Sequence, residues 1–144
     1  MDPNDAPEST QPQPLNIEAL ATIGPALDSE IERFPATYGR QCELMHAALM
    51  RLAAAKRNAE TTTARLQLTI RKSAEIAGIK TTEKKIESEV MQTQEHADVR
   101  DALTRAELEV EGIKLTLRAL ERKERMLDLL GRKAIRELDA HRVL

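Results

Sequence analysis

Aromatic residues are almost missing. The 144-residue chain has no Trp, one Phe (Phe34) and one Tyr (Tyr38). A mixed compact core leans on aromatic side chains for buried area. Their scarcity, with charged residues at 32% and many Ala, Leu, Glu, Lys and Arg, points to long helices packed along seams. Cysteine is also scarce. The lone Cys42 excludes an internal disulfide, fits a reducing compartment and reads as a small apolar filler. No run of about 18 apolar residues exists, so no membrane span is expected. The opening Met1-Asp2-Pro3-Asn4-Asp5 has neither the basic nor the apolar block of a secretory signal, and a cytoplasmic location is expected.

The sequence also lacks the constellations that carry catalysis. Gly131-Arg132-Lys133 has neither the upstream Gly nor the following Ser/Thr of a phosphate loop. His46, His96 and His141 are isolated, and none sits at a recognised ligand spacing beyond the chance pair His96/Asp98. Glu107, Glu109 and Glu111 step around a helix instead of converging, so they read as a solvated face. No enzyme activity, metal site or cofactor is expected.

What the chain does have is a long heptad. Val99, Leu103, Ala106, Val110, Ile113, Leu117, Leu120 and Leu127 alternate at gaps of four and three, with Glu124 where an apolar residue is due. The stretch Val99 to Leu138 makes a rod of roughly 60 Å that needs a second helix to cover its stripe. Arg40 to Ala77 repeats the pattern more weakly. Met45, Leu49, Leu52, Ala59, Leu66, Ile70 and Ala77 form its seam, with Lys56, Thr63 and Ser73 between them. Upstream, residues 1–14 are acidic and hold Pro3, Pro7, Pro12 and Pro14. They read as a disordered tail ahead of one helical domain over 15–144. Leu15 to Glu32 reads as a short helix broken at Gly24-Pro25 and stopped by Pro35, with a corner over Ala36 to Gly39. Gly78 ends the second helix. Thr81 or Thr82 caps a short helix, Glu83 to Met91, and Thr93 caps the last rod. The fold class is therefore all-α: a long antiparallel, coiled-coil-like helical hairpin with short N-terminal and connector helices. The seams serve either the hairpin alone or a homo-oligomer as well. Helix pairs bury little per residue, which favours association.

Charge is segregated under a net value of −2. Residues 1–39 carry one Arg against seven acids, and residues 40–85 carry ten Lys/Arg against four acids. Within the basic segment lie Lys56, Arg57, Arg65, Arg71 and Lys72, followed by Lys80, Lys84 and Lys85. Arg57, Arg65 and Lys72 recur at eight and seven residues and so share nearly one face. Such a row can track the phosphates of an extended single strand, with each contact releasing a counterion. The bland alternative is a solvated helix face. Without aromatics for base stacking, any binding is to the backbone and weakly sequence-selective.

The order of features resembles the UvsY family of bacteriophage recombination mediators. The shared layout is a short N-terminal helix, a long helix with a Lys-Ala-Arg-Leu-type basic motif, a connector, and a Leu-rich last helix. Here the motif position reads Thr63-Ala64-Arg65-Leu66, with Thr where the family has Lys. Thr82-Glu83 to Val90 and the stretch Ala119 to Arg136 match in spacing. The resemblance implies a non-enzymatic homo-oligomer that binds single-stranded DNA. It implies that the protein helps load a RecA-like recombinase onto DNA coated by single-strand-binding protein, in the host-cell cytoplasm. It also gives Arg65 a DNA contact; Lys56, Arg57, Arg71 and Lys72 extend that site by helical spacing. A scaffolding or adaptor coiled coil without nucleic-acid binding is the alternative.

Overall fold

A computed structural model describes residues 27–143. They form three helices: α1 (Leu27–Ala77), α2 (Glu83–Met91) and α3 (Gln94–Arg142). At ~1.5 Å per residue the two long helices are rods of about 76 and 73 Å. They run antiparallel along each other. Glu30 meets Lys123, Arg51 meets Glu109 and Arg65 meets Glu95, so numbers fall on α3 as they rise on α1. This is the helical hairpin that the two seams predict. The acidic tail and the segment 15–26 lie outside the described residues.

The bend follows from four residues. Gly78 adopts a positive φ of 69°. Its N–H donates to the Glu75 carbonyl at 3.1 Å, and the Ile79 N–H donates to the Ala74 carbonyl at 2.9 Å. That pair of bonds satisfies the last carbonyls of α1 and turns the chain. Thr82 is in extended backbone, and its hydroxyl accepts from the Lys85 N–H at 3.4 Å. Thr93 does the same for α3, accepting from the His96 N–H at 3.3 Å. Between these caps α2 folds onto α1, burying Ile86 and Val90 against Leu66, with Ile70 at the edge.

The proline expectation is overturned. Pro35 lies inside α1, and Ala36 to Gly39 are helical instead of forming a corner. An interior proline costs about 3 kcal/mol through its missing donor and its clash with the preceding turn. The opposing term is packing. Phe34, Tyr38 and Gln41 continue the inward stripe, and the Phe34 and Tyr38 rings stack with centroids 5.9 Å apart. Breaking the helix at Pro35 would also carry Glu30 away from Lys123.

The seams hold in part. Val110, Leu120 and Leu127 are buried, and Leu103, Ile113 and Leu117 are half-buried. Thr116 is buried beside Leu117, donating to the Gly112 carbonyl. Lys123, not Glu124, takes the next inward place. The Lys123 Nζ reaches the Glu30 carboxylate at 2.6 Å, with its side chain 9% exposed. A lysine stem packs as hydrocarbon while its ammonium meets a partner. Glu124 is exposed and lines an apolar groove of about 330 Å³ with Ile31, Phe34, Pro35, Leu127 and Ile135. On α1, Ala48, Ala55 and Ala74 point inward, while Leu49, Lys56, Ser73 and Ala77 are exposed. Small side chains inside let the two rods approach closely, and they leave a thin core.

One polar atom in that core is orphaned. Gln41 is 3% exposed, and its Oε1 has no hydrogen-bond partner among the described residues. A buried unsatisfied acceptor costs about 1–3 kcal/mol. Gln41→Leu is therefore expected to raise the midpoint of thermal unfolding. A variant that melts at or below the parent temperature would show that the oxygen is bonded in solution.

Candidate nucleic-acid interface

The basic residues of α1 fall into two groups. Lys56, Arg57 and Lys72 are exposed, and none has an ion-pair partner among the described residues. Arg65 and Arg71 are tied to other helices: Arg65 Nη2 bonds the Glu95 carboxylate of α3, and Arg71 Nη2 bonds Glu83 of α2 at 2.7 Å. Angle does not make the difference, since Arg65 and Lys72, seven residues apart, lie within about 20° of each other on α1. What differs is the carboxylate in reach: Glu95 for Arg65 and Glu83 for Arg71, and none for Lys56, Arg57 or Lys72 among the described residues. Lys56 is one residue before Arg57, hence about 100° around the helix from it.

A third crossing pair stands further along. Arg51 grips Glu109 with both ends of its fork, Nη2 to Oε1 at 2.5 Å and Nε to Oε2 at 3.1 Å. That bidentate bond holds the Glu109 carboxyl below the usual carboxylate range, against a weaker opposite push from burial. The same bond raises the Arg51 guanidinium.

Exposure decides what the tied arginines can do. The side chains of Arg65 and Glu95 are 56% and 57% exposed. An exposed pair contributes about 0–1 kcal/mol, so a phosphate oxygen can compete with Glu95 for the guanidinium. Arg65 thus retains the chemistry of an anion contact, with Glu95 as its resident competitor.

The bend adds cations. Lys80 and Lys85 line a groove of about 400 Å³ between α1 and α2, with Thr69, Ser73 and Thr81 on its walls and Glu89 on its rim. Thr69 Oγ1 already donates to the Arg65 carbonyl at 3.0 Å. Lys84 is exposed nearby and, like Lys80 and Lys85, is without an ion pair among the described residues. From Arg57 to Lys72 is about 22 Å along the helix. The bend lysines prolong that track past the end of α1.

Among the described residues no three His, Cys, Asp or Glu side chains converge as metal ligands, and no helix is long and apolar enough to cross a membrane.

No protein-family model, curated protein or solved structure matches this chain.

One feature outside the expected set stands out on α3. Leu108, Gly112, Leu115, Ala119, Arg122, Met126 and Leu129 form a second four-three repeat, two residues out of step with the first. Its large apolar members are exposed: Leu108 66%, Leu115 55%, Met126 51% and Leu129 60%. The signal was in the sequence, but the stronger first seam masks it because both share one helix.

Proposed function

We propose that this protein binds single-stranded DNA as a homo-oligomer and acts as a recombination mediator. The observation that carries the reading is the run of cations with no carboxylate partner among the described residues: Lys56, Arg57 and Lys72 on α1, then Lys80, Lys84 and Lys85 at the bend. Helix-to-helix pairing consumes Arg51, Arg65 and Arg71, yet leaves this run unspent. Contacts of this kind read phosphate, not base, so the binding is weakly sequence-selective. Several subunits each presenting the run would add weak contacts through effective concentration. Helping to load a RecA-like recombinase onto DNA covered by single-strand-binding protein is the role implied by the UvsY-like layout.

Salt titration of oligo-dT binding tests the reading. Affinity should fall as salt rises, with a slope of roughly 0.7 per phosphate contact. Arg57→Ala, Arg65→Ala and Lys72→Ala together should flatten that slope by about 2. Glu95→Gln releases Arg65 and should tighten binding and steepen the slope. A triple variant that binds like the parent would place the interface on another face.

The scaffolding alternative also has an observation in its favour: three of the basic residues brace helices, namely Arg51, Arg65 and Arg71. Absence of DNA binding at low salt, in a chain that still associates, would select it.

A further inference from the structure

We infer that two copies of this chain associate antiparallel through the second stripe of α3. The inference rests on the oligomeric part of the proposed function and names its contact. Heptad spacing with exposed apolar members is the pattern that a partner helix covers. The hairpin partner α1 cannot cover it, because α1 lies along the other seam.

Two properties choose a second copy and its direction. The first is charge. Beside the stripe lie Glu107 and Glu111 in its first half and Arg118 and Arg125 in its second, with Lys114 and Glu121 further round the helix. Antiparallel copies set acid against base, whereas parallel copies set like against like. Glu111 now holds Lys114 at 2.7 Å, an exposed pair that an arginine of the second copy can replace. The second property is size. In one antiparallel register Leu115 faces Ala119, Arg122 faces Gly112 and Leu108 faces Met126, so each bulky side chain meets a small or flexible one. A Cβ built on Gly112 meets nothing within 4 Å, so the space opposite Arg122 is free.

The test uses single cysteines in a Cys42→Ser background, without DNA. Mixing Leu108→Cys with Met126→Cys protein should give an oxidised cross-linked dimer, and neither variant alone should. Leu115→Glu should sediment as a smaller species with unchanged helical circular dichroism. Cross-linking of Leu108→Cys with itself would overturn the antiparallel direction. A parent that assembles without the mixed cross-link, or a Leu115→Glu protein that stays assembled, overturns the contact alone. A parent that sediments as a monomer overturns the contact together with the oligomeric part of the proposed function.

Discussion

Leu120→Ala is expected to cost the hairpin about 3–5 kcal/mol, the upper range for a leucine truncated in a closed site. Leu120 is the largest side chain with no solvent exposure. Few others share its burden. Among the described residues the other buried apolar ones are Ala48, Ala59, Leu66, Ile86, Val90, Ala106, Val110 and Leu127, three of them alanines. Two rigid rods cannot collapse locally around a missing isobutyl group, so most of the cavity persists. Against a total of about 5–15 kcal/mol for a typical domain, one such loss removes much of the stability. Leu68→Ala is the control, because Leu68 is 54% exposed on α1. It should stay within about 0.5 kcal/mol of the parent in urea unfolding. Equal losses at the two sites would mean that α1 and α3 are not packed on this seam.

The second large effect is asymmetric. Glu30→Gln should destabilise by about 3 kcal/mol, because it leaves the Lys123 ammonium enclosed without a counter-charge. Lys123→Met should lie within about 1 kcal/mol of the parent, since a thioether of similar length fills the same space. The geometry behind this is a lysine side chain 9% exposed against a carboxylate side chain 28% exposed. Denaturation of the two variants side by side decides it. If Lys123→Met loses as much as Glu30→Gln, attraction rather than desolvation dominates the pair.

Sequence signals are decisive where the chemistry is local. Gly78, Thr82 and Thr93 each act within three to five residues of themselves, and the helix Glu83 to Met91 has the bounds its caps imply. The pairing of the two rods was legible because an amphipathic helix of that length requires a partner. The helix break expected at Pro35 does not occur because its local cost is offset by contacts with a helix far along the chain. The exchange of Glu124 for Lys123 has the same origin. Both residues interrupt an apolar repeat, but only a partner at Glu30 tells which one turns inward. The basic row was visible as charge. Its division into free and tied members depends on Glu83 and Glu95, whose positions only the fold supplies.

The ion pairs between helices also define an order of assembly. Arg71–Glu83 closes a segment of 12 residues, Arg65–Glu95 one of 30, Arg51–Glu109 one of 58, and Glu30–Lys123 a longer one still. Each doubling of a closed segment costs about 0.6 kcal/mol more entropy. The chain therefore zips from the Leu66–Ile86–Val90 end outward and frays from the opposite end. Amide hydrogen exchange should record this as protection that declines with distance from the bend.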